Sequence, residues 1–185
     1  MEPLVTRVSA TLASWRSAAD RRIAGTVLLH LYRHRMPDTV VGRRLLFLCN
    51  GNVCRSVLAA AHARRRLGDD VACVDSAGLA HAAGRPPPDL AVKVAAAMGL
   101  DLGRHRSSPV SAEQVHRADF VFVMDRLTVL RTWRRFPEAR TKLFLLDAPR
   151  EVPDPWGQPE QRFQEVFEQI CGSIERLAGR GNDAR

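Results

Sequence analysis

The residues best suited to chemistry lie in one run of eight, residues 49–56, which reads CNGNVCRS. Cys49 ends an apolar stretch that suits a buried strand, and a helix-forming stretch follows Ser56 at once. Gly51 and Asn52, inside the run, are residue types that tolerate unusual backbone angles. A loop of this kind can turn successive backbone N–H groups inward, which makes a binding site for an anion at the start of a helix.

A nucleophile and a cation inside such a loop would act together. The field of a helix N-terminus favours a thiolate, and the thiolate is the reactive form of cysteine. The planar guanidinium of Arg55 can hold two phosphate oxygens, and the hydroxyl of Ser56 can donate to the sulfur of Cys49. The spacing of Cys49 and Arg55 alone is weak evidence in a chain this rich in arginine. The loop and its flanking elements together predict a nucleophilic phosphate site.

The elements that must position this loop follow from the pattern after Arg44, where short apolar runs alternate with helix-forming stretches. Strands are predicted over residues 45–49, 71–75, 120–124 and 143–146. Helices are predicted over residues 57–67, 89–98 and 127–136, before a final amphipathic helix that carries Phe163, Val166, Phe167, Ile170, Ile174 and Leu177. Apolar strands separated by helices indicate an α/β fold of three layers, with a four-stranded parallel sheet between helices on both faces. A ligand site is expected beyond the carboxyl ends of the strands.

Composition excludes several classes of protein. The chain has 185 residues, of which 45% are hydrophobic, so it can bury a real core and is too aliphatic to be disordered. Its net charge is +8. It lacks an RNA-binding aromatic pattern, a zinc-ligand spacing and a basic zipper, so no nucleic-acid partner is expected. The four cysteines are too unevenly spaced for a disulfide framework, and no apolar run is long enough to span a bilayer. A cytoplasmic location is expected.

The first 43 residues form a separate basic segment. Residues 1–44 hold eight arginines against three acidic residues, so +5 of the net charge of +8 lies there. Apolar residues recur at helical spacing over residues 8–31, which predicts one amphipathic helix or two helices broken near Gly25. Packing of this segment within the molecule or in a dimer is favoured over contact with an anionic membrane, and docking of a partner kinase stays open. The oligomeric state is left open.

Five motifs in order resemble those of the low-molecular-weight protein tyrosine phosphatases. The first is the loop itself, Cys-x-Gly-Asn-x-Cys-Arg-Ser. The others are Asp-Ser-Ala-Gly at 75–78, Gly-Arg-His-Arg-Ser at 103–107, Ala-Asp at 118–119 with Val-Met-Asp-Arg at 123–126, and Pro-Asp-Pro-Trp-Gly at 153–157. The resemblance covers about residues 44–178 and is closest to bacterial members. It predicts a catalytic domain over residues 44–185, preceded by an extension, residues 1–43, that has no counterpart in the family.

The resemblance implies an enzyme that hydrolyses protein phosphotyrosine without a metal or a cofactor. Cys49 would be the nucleophile, Arg55 would bind phosphate, and Asp154 would be the general acid and then the general base. The phosphate-binding loop would also contain Asn50, Gly51, Asn52, Val53, Cys54 and Ser56. The implied partner is a phosphotyrosine-containing protein, and a bacterial tyrosine kinase is a candidate for it.

The resemblance also assigns supporting residues. Asn52, Ser76 and His105 would brace the loop, and Trp156 would form an aromatic wall at the entrance. The family usually has Glu where this chain has Ala60, near the residue that His105 matches. His105 is therefore expected to have a different partner in this chain.

Several residues keep two interpretations. Cys54 is either a small buried residue or a resolving thiol that protects Cys49 as a reversible disulfide. Asp125 follows a predicted strand, so it either caps the next helix or takes part in catalysis. Cys73 and Cys171 are expected in the core.

Three other functions remain as alternatives. A thiol-dependent arsenate reductase would need two further cysteines on one mobile segment, and Cys73 and Cys171 do not form such a pair. A phosphoarginine phosphatase is disfavoured because that branch carries Thr where this chain has Val53. A non-enzymatic phosphate-binding scaffold is disfavoured because the nucleophile, the arginine and the acid are all present.

Overall fold

The computed structural model describes residues 36–182 of the chain and contains four parallel strands in one sheet. The strands are β1 (Arg44–Cys49), β2 (Cys73–Gly78), β3 (Phe120–Val123) and β4 (Leu143–Leu145). They lie in the order β2-β1-β3-β4, so β1, which leads into the predicted loop, is a central strand. A central parallel strand is covered on both faces and needs apolar residues throughout, and residues 45–49 are all buried.

Five α-helices of the described residues connect and cover these strands. They are α1 (Arg55–Leu67), α2 (Asp89–Ala97), α3 (Ala112–Arg117), α4 (Arg126–Arg135) and α5 (Glu160–Asn182). Leu45 and Phe47 of β1 join a core with α1, α2 and α5 on one face of the sheet. Leu46 and Leu48 are buried on the opposite face, where α3 and α4 lie. The fold is therefore the three-layer α/β architecture that the alternation of strands and helices predicts.

Local chemistry sets the ends of several helices. α1 begins at Arg55, directly after the loop, and ends at Gly68, whose φ of +49° is one that residues with a side chain rarely adopt. α3 begins with a capping box, in which the side chains of Ser111 and Gln114 each accept the other's backbone N–H. Asp125 caps α4 with its carboxylate. The Asp125 cap fixes the turn that leads out of the carboxyl end of β3.

Three details differ from the sequence predictions. β2 begins at Cys73 and runs to Gly78, later than the predicted 71–75, because its polar second half pairs with β1 as far as Cys49. α3 is not among the predicted helices, since its six residues are too few for a helical period to show. The prediction that Cys73 lies in the core is wrong, because this residue begins an edge strand and is exposed, whereas Cys171 is half-buried on α5.

Residues 36–43, which the sequence predictions assign to the extension, pack on the sheet domain. Val40 is buried in the core, and the N–H of Gly42 donates to the carbonyl of Asp70 at 2.7 Å. These residues belong to the same compact unit as the sheet. The amphipathic helix predicted over residues 8–31 lies outside the described residues. Within residues 36–182, no helix is long and apolar enough to cross a membrane.

Candidate active site

The loop between β1 and α1 surrounds the sulfur of Cys49 with hydrogen-bond donors. Cys49 ends β1, and its Sγ accepts a hydrogen bond from the backbone N–H of Asn52 at 3.2 Å. Asn52 has a φ of +52°, which turns this N–H inward. Of the two residues expected to tolerate unusual backbone angles, it is Asn52 rather than Gly51 that adopts one. The hydroxyl of Ser56 lies 3.0 Å from the same sulfur.

Asn52 also connects the loop to two neighbouring segments. Its Nδ2 donates to the hydroxyl oxygens of Ser56 at 3.1 Å and Ser76 at 3.0 Å. Its Oδ1 accepts the backbone N–H of Ser108 at 3.0 Å, and its backbone carbonyl accepts from Nε2 of His105 at 2.9 Å. Because Ser56 Oγ accepts from Asn52, its own proton can point at the sulfur. The three residues assigned to bracing the loop therefore meet in one hydrogen-bond network.

His105 makes its contact with the loop as a neutral ring. Burial lowers the pKa of His105 below its ordinary value, and the charges of Arg64 and Arg106 lower it further. The hydrogen bond to the Asn52 carbonyl acts in the opposite direction but does not reverse the shift. In the neutral ring Nε2 carries the proton that it donates to this carbonyl.

Arg55 extends from the first turn of α1 into a set of acceptors. Its Nη1 donates to Oδ2 of Asp125 at 2.6 Å and to the carbonyl of Val152 at 3.1 Å, while its Nη2 donates to Oδ2 of Asp154 at 2.8 Å. Burial lowers the pKa of Arg55, but the negative charges of Cys49, Asp154 and Asp125 outweigh burial and raise that pKa above its ordinary value. A fixed cation therefore lies close to the sulfur.

Asp125 is a helix cap that also contacts the site. Its Oδ1 accepts the backbone N–H and the hydroxyl of Thr128, both at 2.7 Å, and its Oδ2 accepts from Arg55. Burial raises the pKa of Asp125, but the hydrogen bonds from Thr128 and Arg55 outweigh it and hold that pKa below its ordinary value. The ionised carboxylate ties the start of α4 to the guanidinium of Arg55.

A cavity of about 210 Å³ opens over the loop. It is lined by Cys49, Asn50, Gly51, Val53, Cys54, Arg55, Arg85, Asp154 and Trp156. Asp154 and Trp156 reach it from the segment before α5, and their side chains are about half exposed, at 51% and 50%. The backbone N–H of Trp156 donates to Oδ1 of Asp154 at 3.3 Å, which links the two residues. The predicted nucleophile, cation, carboxylate and aromatic residue thus border one cavity.

Cys54 lies at the N-cap of α1 and lines the same cavity. Burial is the main reason that the pKa of Cys54 is raised to about 12, and the negative charges of Cys49 and Asp154 contribute. Cys54 is therefore a protonated thiol at neutral pH. All four cysteines are free.

Two arginines at this cavity are not singled out by the sequence. The guanidinium carbon of Arg85 lies 5.1 Å from the centroid of the Trp156 ring, and Nη1 of Arg131 donates to Oδ1 of Asn50 at 2.8 Å. Only two of the 28 basic residues are lysines, so the position of any one arginine in the sequence carries little information. The fold alone brings Arg85 into the lining of the cavity and Arg131 into contact with Asn50, which also lines it.

The arrangement suits displacement at phosphorus, since it combines a buried sulfur, the inward N–H of Asn52, a fixed guanidinium and a carboxylate at the entrance. Within residues 36–182, no group of three His, Cys, Asp or Glu residues is placed to hold a metal ion. The sequence matches the family model "Low molecular weight phosphotyrosine protein phosphatase" over residues 44–183. The chain belongs to this family. The match begins with β1 and includes every residue that lines the cavity.

Relatives with this domain include enzymes named for two different phosphorylated residues. The probable low-molecular-weight protein-tyrosine-phosphatase EpsP of Ralstonia nicotianae is 32% identical over 72% of this chain and 92% of its own length. The solved structure of the YwlE arginine phosphatase from Geobacillus stearothermophilus is 31% identical, with a TM-score of 0.72 over 77% of this chain and 94% of that one. The tyrosine phosphatase Wzb from Escherichia coli K30, solved with sulphate, is 28% identical, with a TM-score of 0.70 over 74% of this chain and 96% of that one.

One departure from the family pattern is visible at His105. Ala60, which replaces the usual Glu, is fully buried in the core beside α5. The hydrogen-bond partner of His105 Nε2 is instead the main-chain carbonyl of Asn52. In this member, the histidine supports the loop directly through its backbone.

Proposed function

We propose that the protein hydrolyses phosphotyrosine in proteins through a phosphocysteine intermediate, with Cys49 as nucleophile. The observation that carries the proposal is the position of the Cys49 sulfur. It accepts hydrogen bonds inside the loop, in a cavity that Arg55 and Asp154 also line. The binding of sulphate by the related Wzb supports it, because sulphate has the tetrahedral shape and oxygen arrangement of a phosphate group.

In the first step, the Cys49 thiolate attacks phosphorus, and the bond from phosphorus to the tyrosine oxygen breaks. The backbone N–H groups of residues 50–55 and the guanidinium of Arg55 hold the other three oxygens as negative charge spreads over them. Asp154, as the carboxylic acid, gives its proton to the departing phenolate oxygen. Nη2 of Arg55 lies 2.8 Å from Oδ2 of Asp154, so the acid lies next to the residue that binds the phosphate.

In the second step, water attacks the phosphocysteine and the sulfur–phosphorus bond breaks. Asp154, now a carboxylate, accepts a proton from the attacking water. The hydroxyl of Ser56, 3.0 Å from Cys49 Sγ, donates to the sulfur as it leaves with a negative charge. Inorganic phosphate is released, and the thiolate is restored without a metal or a cofactor.

An aromatic phosphate ester suits the walls of the cavity better than the alternatives. Val53 is a buried apolar residue of the loop, and the half-exposed ring of Trp156 can stack on a phenyl group. A phosphorylated arginine is the alternative that the relationship to YwlE keeps open. Arsenate reduction is less well supported, because exposed Cys73 begins β2 whereas half-buried Cys171 lies on α5, so the two share no segment.

The proposal is tested by hydrolysis of p-nitrophenyl phosphate below neutral pH, in the presence of a metal chelator and with vanadate as the inhibitor. Cys49→Ser is expected to abolish turnover, and Asp154→Asn is expected to lower kcat by about a hundredfold or more. Cys73→Ser is the matched control, because it replaces an exposed cysteine outside the cavity, and it should retain activity. Full activity in the Cys49→Ser protein would refute the mechanism.

The same proteins decide between the two substrate classes. We expect a higher kcat/KM for a phosphotyrosine peptide than for a phosphoarginine peptide with the same flanking residues. Val53→Thr should shift the ratio toward phosphoarginine if the residue at this position selects the substrate. A higher kcat/KM for phosphoarginine in the unmodified protein would replace the proposed activity with the alternative.

We further propose that the phosphoprotein substrate is bacterial and that a tyrosine kinase is a candidate for it. The closeness of the motifs to those of bacterial members supports this choice. A nucleophilic thiol requires a reducing compartment, which fits the cytoplasmic location expected from the sequence.

A further inference from the structure

Two arginines beside the entrance of the cavity form no ion pair with any acidic residue in the part of the chain that the structure describes. Arg85 lies against the ring of Trp156, and Arg131 is hydrogen-bonded to Asn50. We call Asn50, Arg85, Arg131 and Trp156 together the cationic rim. Their side chains are exposed, and Asn50, Arg85 and Trp156 line the cavity itself.

Arg85 is held in place by its backbone rather than by a charge. Its N–H donates to Oγ of Ser107 at 3.0 Å, and its carbonyl accepts the N–H of Ser107 at 2.9 Å. Ser107 is 3% exposed, and its own carbonyl accepts the N–H of Gly84 at 2.8 Å. The backbone of this loop is therefore fixed, and less conformational entropy is lost when its side chain binds a ligand.

The contact with the Trp156 ring leaves the side-chain donors of Arg85 available, because the guanidinium forms no hydrogen bond within residues 36–182. A guanidinium can hold a carboxylate through two hydrogen bonds. Arg131 uses Nη1 for Asn50 and retains donors on its other nitrogens. In contrast, the guanidinium of Arg55 is already engaged by Asp125 and Asp154. Asp125 and Asp154 therefore offset the charge of Arg55, whereas the charges of Arg85 and Arg131 on the cationic rim have no such partner within residues 36–182.

We propose that the cationic rim selects phosphotyrosine sites with acidic residues on either side of the tyrosine. This inference rests on the proposed function, because a phosphate bound in the loop is what brings the flanking residues to the rim. With the phosphate on Arg55 and the phenyl ring beside Trp156, the peptide backbone leaves the cavity between Asn50 and Arg85. Neighbouring Asp or Glu side chains then lie within reach of the remaining donors of Arg85 and Arg131.

The test compares kcat/KM for three phosphotyrosine peptides that differ only in the flanking residues, which are glutamate, glutamine or lysine. An exposed ion pair is worth about threefold in affinity, so the two arginines should favour the glutamate peptide over the glutamine peptide by about tenfold at low salt. The lysine peptide should be the poorest substrate. The preference should act through KM and should decline as sodium chloride is added.

Substitution of the rim should remove the preference and not merely lower activity. Arg85→Gln and Arg131→Gln should each reduce the ratio of glutamate to glutamine peptide by about threefold, and the double variant should bring it near one. Arg117→Gln is the matched control. Arg117 ends α3 just before the amino end of β3. It therefore lies near the amino ends of the strands, whereas the cavity lies at their carboxyl ends. That variant removes the same charge and should leave the ratio unchanged.

The outcomes separate the two proposals. Equal kcat/KM for the three peptides in the unmodified protein, or an unchanged ratio in the double variant, would overturn the selection of acidic sites and leave the phosphatase activity standing. Failure to hydrolyse any of the three peptides would overturn the proposed function, and this inference with it.

Discussion

Asn52 shows how one residue of the loop supports several others. Its backbone N–H reaches the sulfur of Cys49, its side chain bonds Ser56, Ser76 and the backbone of Ser108, and its carbonyl accepts from His105. Asn52 is fully buried, so its own polar groups have no water as an alternative partner and depend on these hydrogen bonds. Asparagine also tolerates the left-handed backbone that the loop requires there. The shape of the anion site and the order of its surroundings therefore depend on the same side chain.

At the same scale, Cys54 should determine how much activity the enzyme recovers after oxidation. Its raised pKa, about 12, keeps Cys54 protonated, so peroxide should oxidise Cys49 first, to a sulfenic acid. The Cys54 sulfur can then attack the Cys49 sulfur, so that the disulfide forms and water leaves. We expect dithiothreitol to restore activity after brief peroxide treatment of the unmodified protein, and to restore severalfold less in Cys54→Ala.

Recovery is measured as the fraction of p-nitrophenyl phosphate hydrolysis that returns, with each variant normalised to its own untreated activity. Mass spectrometry of the oxidised protein should find the Cys49–Cys54 bond before reduction. Cys171→Ala is the control, because Cys171 is a half-buried cysteine on α5 and not one that lines the cavity. Equal recovery in the unmodified and Cys54→Ala proteins would leave Cys54 with a packing role alone.

At the scale of elements, the end of β2 sets the space available to the loop. Gly78 pairs with Cys49, and a Cβ built on it would lie 3.0 Å from the carbonyl oxygen of Asn50 and 3.1 Å from Cβ of Asn52. Neither the carbonyl oxygen of Asn50 nor Cβ of Asn52 can move aside by a side-chain rotation, because both are fixed to the backbone. Gly78→Ala should therefore push the loop away by a few tenths of an ångström. We expect kcat/KM to fall by about tenfold or more and the free energy of unfolding by about 1 kcal/mol.

Gly179→Ala gives the opposite case. Gly179 lies within α5 with nothing within 4 Å of an added Cβ, so alanine there should raise the free energy of unfolding by up to about 1 kcal/mol and leave activity unchanged. Denaturant unfolding and steady-state kinetics on the two variants check both effects. Unaltered kcat/KM in Gly78→Ala would show that the spacing between strand and loop does not control the chemistry.

The sequence predicts the elements of this domain better than it predicts their contacts. β1, β3 and β4 are evident because they are continuous apolar runs, and the loop is evident because Cys49 and Arg55 flank residues that turn the chain. α3 escapes a period-based prediction because it is too short. Arg85 approaches the site from a distant loop and Arg131 from α4, and in an arginine-rich chain no spacing marks either residue. Periodicity reports what faces the core, whereas the rim of a site depends on tertiary packing.

At the scale of the whole molecule, buried His62 and half-buried His105 should make stability depend on pH. His62 joins α1 to α5, with Nε2 3.0 Å from Oε1 of Glu175, while Arg65 donates to Nδ1 at 3.2 Å. Because Arg65 can only donate, Nδ1 is unprotonated and the ring is neutral. Burial lowers the pKa of His62, and Arg65 and Arg66 act in the same direction against the opposing effect of Glu175.

Burial likewise lowers the pKa of His105, so both rings bind protons more readily in the unfolded chain than in the folded protein. Above the ordinary histidine pKa of 6.5, both states are neutral at these sites and the full stability is present. As the pH falls through that value, the unfolded chain takes up protons first, so the free energy of unfolding decreases until the folded pKa values are reached. The lowered pKa values of the carboxyl groups of Asp125 and Glu175 act in a more acidic range.

Urea unfolding between about pH 7.5 and 5.5 should therefore show stability declining toward acid, with His62→Gln and His105→Gln each reducing the slope and the double variant reducing it most. Glutamine keeps a donor for Glu175 or for the Asn52 carbonyl but does not titrate, which separates the loss of a proton site from the loss of a hydrogen bond. His81→Gln, at an exposed position, is the control and should keep the full slope. If the double variant retains the slope of the unmodified protein, other groups are responsible for it.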